Sequence, residues 1–168
     1  GRSFGGTSLL PASDLTNATL LGIVMNSTGW GNFNSVELEK KLAGKQASLR
    51  VSLGQVTDNL SGSSTPKDLR TLFELIYLHF QKPADDQAAY DNIINLLKTQ
   101  LANAEKDPST AFSDSVRTTV YGNHPRVKGL KLEDLAGADY AAIKRIYSER
   151  FASAGDFDFY FTGNFDVD

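Results

Sequence analysis

Two segments alternate strictly between apolar and polar residues, which is the pattern of a β-strand with one buried face. The first is Ala47–Leu53, where serine or arginine fills every second position. The second covers residues 157–161, where three phenylalanines alternate with polar residues. A weaker strand follows Gly54 and continues to about Ser63. The pattern therefore predicts a hairpin at residues 47–63 and a separate strand at residues 157–161.

Longer segments place apolar residues three or four positions apart, which is the spacing of one helix face. Each begins at a residue that caps a first turn or at a proline suited to the first helical position. These starts are Pro11, Asn34, Pro66, Pro83, Pro108 and Asp139. The apolar stripes are Leu15, Ala18, Leu21 and Met25; Leu69, Leu72, Phe73, Ile76 and Phe80; Tyr90, Ile93, Ile94, Leu97 and Leu101; Phe112, Val116 and Val120; and Tyr140, Ile143, Tyr147 and Phe151.

The order of the predicted elements is two helices, a hairpin, three or four helices and a strand. A Rossmann fold needs strict alternation of strand and helix, so this order excludes it. We predict an α+β fold, a two-layer sandwich in which a small mixed or mainly antiparallel sheet carries helices on one face. The length of 168 residues is that of one domain. Because the chain starts at Gly1 without Met and ends after a predicted strand, we interpret residues 1–168 as a single, truncated domain of a longer polypeptide.

Composition excludes several kinds of partner. Seventeen basic residues face twenty acidic ones, and no basic stripe of the kind that binds a phosphate backbone is present, so no nucleic-acid partner is predicted. The longest apolar stretch, residues 20–25, is far shorter than the roughly 20 residues that cross a bilayer, so no membrane partner is predicted. The absence of cysteine excludes disulfide scaffolds, thiol catalysis and cysteine–zinc sites, and it leaves the compartment open.

Metal sites have few candidate ligands in this chain. Its two histidines, His79 and His124, stand apart, and neither is followed by His or Glu at ligand spacing. Zinc needs three or four convergent ligands, so we interpret His79 as a packing residue at a helix end and His124 as a loop residue. Residues 164–168 alternate oxygen-bearing side chains, but they lack the Gly and Glu positions of a calcium-binding EF-hand loop.

Candidates for phosphate binding and nucleophilic catalysis are equally sparse. Residues 61–67 form a Gly/Ser loop before a helix, but they lack the second Gly and the Lys-Ser/Thr pair of a P-loop, and a helix start explains them. No G-x-S-x-G motif occurs. Trp30, between two glycines, is either a ligand platform or a turn aromatic that packs on the domain. We therefore predict no catalytic, cofactor-binding or metal-ligating residue, and a domain that supports a function without reacting itself.

Eight motifs, in their order and spacing, resemble the pitrilysin/insulinase family of zinc peptidases. More narrowly, they resemble the third of four homologous domains in the long bacterial members, over essentially the whole chain. The motifs are Gly5-Gly6-Thr7-Ser8; Gly29-Trp30-Gly31-Asn32-Phe33; Lys41-Leu42-Ala43-Gly44-Lys45; Leu60-Ser61-Gly62-Ser63-Ser64 with Lys67-Asp68-Leu69; Tyr77-Leu78-His79-Phe80; Asn123-His124-Pro125-Arg126; Ile146-Tyr147-Ser148-Glu149-Arg150-Phe151; and Phe161-Thr162-Gly163-Asn164-Phe165-Asp166.

The resemblance implies a pitrilysin/mitochondrial-processing-peptidase-like metallohydrolase fold and a parent protein that hydrolyses peptide bonds. In the family's active domain, H-x-x-E-H on the first long helix holds the zinc, with a further Glu downstream. The corresponding residues here, 14–21, contain neither His nor Glu, so no ligand or general base carries over. The family places the catalytic zinc in its N-terminal half and closes a substrate chamber with a metal-free C-terminal half. We therefore expect zinc in the parent's N-terminal half, none in this fragment, and no activity of the fragment alone.

The resemblance also implies partners and a location. The partners are the remaining domains of the same parent chain and the parent's peptide substrate, and the location is a bacterial cell envelope or periplasm. It further implies that an opening strand precedes Gly1, with residues 2–4 as its tail. Two alternatives stay open. One is a structural or interaction module of the same fold without peptidase activity. The other is an unrelated small-molecule-binding α/β domain, which a deep pocket with converging polar groups would favour.

Overall fold

The sheet is built on the predicted hairpin. In the computed structural model, which describes residues 1–164, β1 (Arg2–Phe4), β2 (Ala47–Leu53) and β3 (Thr57–Ser64) pair in the order β1-β3-β2. Both pairings are antiparallel. The sheet is therefore antiparallel in the part of the chain that the structure describes.

Three of the six α-helices in the described residues begin where the sequence predicts, and the other three begin three or four residues after the predicted proline. They are α1 (Leu15–Met25), α2 (Ser35–Leu42), α3 (Leu69–His79), α4 (Gln87–Ala104), α5 (Pro108–Val120) and α6 (Tyr140–Arg150). Asn34 and Glu37 form the predicted capping box: the Asn34 side chain accepts from the Glu37 N–H at 2.9 Å, and the Glu37 carboxylate accepts from the Asn34 N–H at 3.0 Å. Asp139 caps α6 through the N–H of Ala141. These caps are local, which is why sequence spacing finds them.

The start of α4 differs from the prediction. Pro83 does not open the helix, because it forms an isolated antiparallel bridge with Trp30, and the Ala84 N–H donates to the carbonyl oxygen of Gly29 at 3.2 Å. The helix begins at Gln87, and the Asp86 carboxylate caps it by accepting from the Ala89 N–H at 3.2 Å. A long-range backbone contact therefore delays the helix by four residues relative to the proline.

One face of the sheet carries the helices, as predicted. Helices α1 and α3 pack against β2, α3 also contacts β3, and α6 packs on α1. Val51 and Leu60 point into this core, whereas Ser48, Arg50 and Ser52 are exposed on the opposite face. The most deeply buried apolar side chains are Leu20, Leu21, Val24, Met25, Ile143, Ile146 and Tyr147. The described part is thus the two-layer α+β sandwich that the pattern indicates.

The predicted strand at residues 157–161 is wrong. Only Asp158 pairs, with Arg2, through two N–H···O bonds of 2.9 Å. The burial of the phenylalanines follows the predicted alternation only in part. Phe157 is buried and Phe159 is half-buried, but Phe161 is 40% exposed. A ladder needs a neighbouring backbone along its length, and the neighbour here, β1, is only three residues long.

In two helices the apolar side chains that are buried differ from those that the sequence predicts. In α3 the buried side chains include Leu72, Leu75 and His79, whereas Phe73 is 46% exposed. In α5 the whole apolar stripe, Phe112, Val116 and Val120, is exposed. Period and hydrophobicity identify apolar faces, but the element packed beside a helix decides which face is covered.

Candidate functional site

His79 is buried in the last turn of α3, with 3% of its surface exposed. Its ring stacks on Trp30 with ring centroids 3.9 Å apart. The Tyr147 hydroxyl donates to the His79 carbonyl oxygen at 2.6 Å. Burial lowers the pKa of His79 to about 4, so the ring is neutral at neutral pH. The interpretation of His79 as a packing residue is confirmed.

The hydrogen bonds of His79 fix its tautomer. Nδ1 lies 2.9 Å from the carbonyl oxygen of Leu75, which can only accept, so Nδ1 carries the proton. Nε2 is then a bare acceptor, and it has no hydrogen-bond partner within the described part of the chain. No group of three or more His, Asp or Glu side chains that could hold a metal ion occurs in residues 1–164. The structure therefore brings no second ligand to Nε2 there.

The other aromatic and histidine candidates have structural contacts. Trp30 is 2% exposed and also meets the edge of Tyr147 at 4.9 Å, so it packs in the core and offers no face to a ligand. His124 is an exposed loop residue whose Nδ1 accepts from the Arg126 N–H at 3.3 Å. The loop interpretation of His124 and the packing interpretation of Trp30 are both confirmed.

The Gly/Ser segment before α3 is not the loop that the sequence suggests. Its first part continues β3 as far as Ser64, and Pro66 opens a short turn at Pro66–Asp68. The Asp68 carboxylate accepts from the Gln46 N–H at 2.9 Å and from the Thr65 hydroxyl at 3.0 Å. A carboxylate at this position repels a phosphate, so the helix-start interpretation is the better one. The oxygen-rich stretch at residues 164–168 lies outside the described residues except for Asn164.

A buried ion pair, which the sequence does not reveal, connects the two layers. Asp58 on β3 has no exposed surface, and its Oδ2 lies 2.6 Å from Nη2 of Arg150 at the end of α6. Its Oδ1 accepts from the Gly6 N–H at 3.0 Å. Arg150 Nη2 also donates to the Phe4 carbonyl oxygen at 3.3 Å. Both carboxylate oxygens are thus satisfied by protein donors, and the pair is structural.

Two surface depressions were candidates for a binding site. An open groove of about 820 Å³ lies between the starts of α2 and α4. Its buried carboxylate, Asp86, already accepts from the N–H groups of Ser35 at 2.7 Å and of Ala89 at 3.2 Å. Desolvation is the largest single effect and raises the pKa of Asp86, but the hydrogen bonds that its carboxylate accepts together outweigh it, so the pKa is lowered. Because the Asp86 carboxylate already accepts these backbone hydrogen bonds, it is not available to a ligand. The groove therefore does not support the small-molecule-binding alternative.

The second depression, of about 360 Å³, lies at the edge of the sheet. One wall is the end of β3 around Gly62, and the other is the extended segment around Phe161. Leu69 and Leu72 of α3 line it as well. Polar residues such as Ser63, Thr65 and Thr162 line it alongside the apolar ones, and none of its lining residues is charged.

No protein-family model and no curated protein matches this sequence significantly. The fold resembles three solved structures: a mutant of the ferredoxin protease FusC in complex with Arabidopsis ferredoxin (TM-score 0.70, 19% identity), the periplasmic protease PqqL from Escherichia coli (0.67, 20%) and a conserved protein from Enterococcus faecalis (0.64, 20%). The matches cover 89%, 90% and 89% of this chain, and the chain spans 16%, 17% and 39% of those proteins.

The predicted fold class is confirmed by these similarities. At such identities they establish a shared fold, and two of the three proteins with that fold are proteases. Each of the three is much longer than this chain.

Among residues 1–164, every helix is too short or too polar to span a bilayer.

Proposed function

We propose that this chain is a non-catalytic domain of a zinc metalloendopeptidase of the pitrilysin/insulinase family, and that it helps to close the substrate chamber opposite the zinc-bearing half. The observation that carries the proposal is the fold shared with two proteases, FusC and PqqL, over 16% and 17% of their lengths. The order of the eight sequence motifs points to the same family.

The composition of α1 supports a non-catalytic role. The resemblance equates this helix with the one that holds zinc in the family's active domain, and α1 contains neither His nor Glu. Its buried polar residue, Asn17, is used structurally: the side-chain oxygen accepts from the Asp139 N–H at 2.9 Å. In this proposal the zinc is held by the N-terminal half of the parent protein.

Helix α5 offers a surface for the remaining domains of the same polypeptide. Phe112, Val116 and Val120 recur every four residues, so they share one face, and they are 71%, 45% and 69% exposed. Tyr121 adds a further exposed aromatic ring. Exposed apolar stripes of this kind mark interaction surfaces. We place the contact with the rest of the parent on α5.

PqqL is a periplasmic protease, and we propose a bacterial cell envelope location for the parent of this chain as well.

The test is domain deletion in the longer polypeptide that contains this chain. We expect the polypeptide without residues 1–168 to retain stoichiometric zinc and to lose peptide hydrolysis by about a hundredfold or more, because a misplaced substrate costs that much. Full activity after the deletion would contradict the proposal. A longer polypeptide without H-x-x-E-H and without zinc would instead support the structural-module alternative.

A further inference from the structure

The face of the sheet opposite the helices is exposed. β2 directs three exposed side chains to it, Ser48, Arg50 and Ser52. Directly opposite residues of an antiparallel pair share a face, so their partners on β3 lie there as well. These partners are Ser63, Ser61 and Asn59. Arg2 is opposite Asn59, and Asp158 is opposite Arg2, so both also lie on this surface, which we call the open face.

Two arginines lie on either side of β3 on the open face. Arg50 of β2 is opposite Ser61, and Arg2 of β1 is opposite Asn59. Adjacent strands are about 4.8 Å apart, so the backbones that carry the two arginines are about 10 Å apart, with the short side chains of β3 between them. Both arginines are exposed, and neither forms an ion pair within the described residues. A group that lies over β3 is therefore within reach of a guanidinium from each side.

Acidic side chains are scarce on the open face. Between residues 44 and 64 the one acidic residue is Asp58, and it is buried in its ion pair with Arg150. The hairpin therefore exposes no carboxylate. Asp158, next to Arg2, is the exposed acidic residue on this surface among the described residues. With two arginines against one aspartate the open face is positively charged, whereas the whole chain has a formal net charge of −3.

Two aromatic rings are exposed on the same surface. Phe4 follows Arg2 by two residues and Tyr160 follows Asp158 by two, and alternate residues of extended backbone share a face. The two residues are 83% and 82% exposed. A depression of about 590 Å³ is lined by both of them together with Arg2, Asn59, Ser61 and Asp158. Aromatic residues and arginine are enriched where polypeptides bind one another, so this composition favours a polypeptide partner.

We propose that the open face binds an acidic polypeptide segment, with its carboxylates over β3 between Arg50 and Arg2 and with Phe4 and Tyr160 against its apolar parts. Hydrogen bonds between guanidinium and carboxylate are charge-assisted and about twice as strong as neutral ones. The exposed hydroxyl of Ser61 offers a further donor between the two arginines. A nucleic acid needs a longer series of basic side chains than two arginines, so the observations favour an acidic polypeptide.

The inference deepens the proposed function and rests on it only for the source of the segment, which is the peptide substrate of the parent protein. It names acidic polypeptides as the class of substrate that this domain retains. The binding itself requires neither zinc nor the other domains, because every residue that we assign to it belongs to this chain. Binding can therefore be measured on residues 1–168 alone.

The test is fluorescence anisotropy of a labelled Glu-Gly repeat peptide titrated with this chain at low ionic strength, where exposed charges are least screened. A Gln-Gly repeat of equal length is the neutral control, and we expect it to bind about tenfold more weakly. Arg50→Gln and Arg2→Gln should each weaken binding of the Glu-Gly peptide about fivefold. Arg70→Gln removes the same charge from the exposed side of α3 and should change the affinity less than about twofold. Asp158→Asn removes the opposing charge and should tighten binding about twofold, which a misfolded variant cannot do.

Three results would overturn the proposal. Equal affinity for the Glu-Gly and Gln-Gly peptides would show that carboxylates are not recognised. Equal losses in Arg50→Gln and Arg70→Gln would assign the binding to overall charge and not to the open face. Tighter binding of a single-stranded oligothymidylate than of the Glu-Gly peptide would assign the surface to nucleic acid. Zinc content and peptide hydrolysis of the longer polypeptide decide the proposed function independently, so the two failures are distinguishable.

Discussion

Arg150 and Asp58 are 92 residues apart in the sequence, yet their side chains form an ion pair of 2.6 Å in which Asp58 has no exposed surface. A second bond of 3.1 Å joins Arg150 Nε to the same carboxylate oxygen. Through this pair α6 is attached to β3 and, by way of the Phe4 carbonyl oxygen, to β1. The pair therefore links the helix layer to two strands of the sheet, β1 and β3.

Breaking this pair is expected to destabilise the fold strongly. Arg150→Met leaves a buried carboxylate without its counter-charge, which costs about 3–5 kcal/mol of unfolding free energy. Urea denaturation measures the loss. Arg70→Met is the matched control, because Arg70 pairs with Glu74 on the surface and is 91% exposed, so we expect a loss of at most about 0.5 kcal/mol. Similar losses in both variants would contradict the structural importance of the buried pair.

Phe157 is expected to be the important phenylalanine of the C-terminal segment. It is 7% exposed and packs on Phe80 and Phe151, with ring centroids 5.3 and 5.5 Å away. Phe157→Ala should cost about 3–5 kcal/mol, cavity included. Phe161→Ala is the control within the same segment, and its partial exposure predicts a loss nearer 1 kcal/mol. Denaturant melts of both variants test this ranking, and a reversed order would show that the segment faces the other way.

His79 should make stability fall in mild acid. Burial lowers the pKa of His79 to about 4, whereas an unfolded histidine titrates near 6.5. Between these pH values the unfolded chain binds a proton that the folded chain does not. The contribution is complete above about pH 6.5 and is lost as pH falls toward 4, by at most about 1.4 kcal/mol per pH unit.

The measurement for His79 is the unfolding free energy at several pH values from 7 to 4. His79→Gln should flatten the slope in this window, because the titrating group is gone. His124→Gln, at the exposed loop histidine, should leave the slope nearly unchanged. Equal slopes for the unsubstituted chain and the His79→Gln variant would exclude His79 as the source of the pH dependence.

The chain alone should neither retain zinc nor cleave peptides. The reason is the lack of His and Glu in α1, together with the burial of His79 and the local capping role of His124. Metal analysis after dialysis and a fluorogenic peptide assay are the measurements. The positive control is the half of the longer polypeptide in which we propose that the zinc lies. Stoichiometric zinc together with turnover would contradict the prediction.

Charge on α5 should affect assembly and leave folding intact. Phe112→Asp combined with Val120→Asp replaces side chains that are 71% and 69% exposed, so the unfolding free energy should change by no more than about 0.5 kcal/mol per site. In the longer polypeptide the same pair should reduce peptide hydrolysis while zinc content stays constant. Thr118→Asp, at another exposed position of α5, is the charge control. Unchanged hydrolysis in the double variant would show that α5 does not form the contact with the other domains.

The sequence by itself determined the local features of this protein. The alternation in Ala47–Leu53, the capping box at Asn34 and the cap at Asp139 each depend on residues only a few positions apart. The caps need no distant partner, so spacing alone predicts them, whereas the alternation predicts only which face of Ala47–Leu53 can be buried. The resemblance to a peptidase family, and the expectation of a strand before Gly1, likewise came from the sequence.

Only the tertiary structure decided which elements lie side by side. Residues 157–161 have the pattern of a strand but pair only at Asp158, with Arg2 of the three-residue strand β1. The apolar stripe of α5 has the same period as a buried one, and nothing in residues 1–164 covers it. The partners of Asp58, which are Arg150 and Gly6, belong to segments that are far from it in the chain. Periodicity shows that a face can be buried, but the backbone placed next to it determines whether it is.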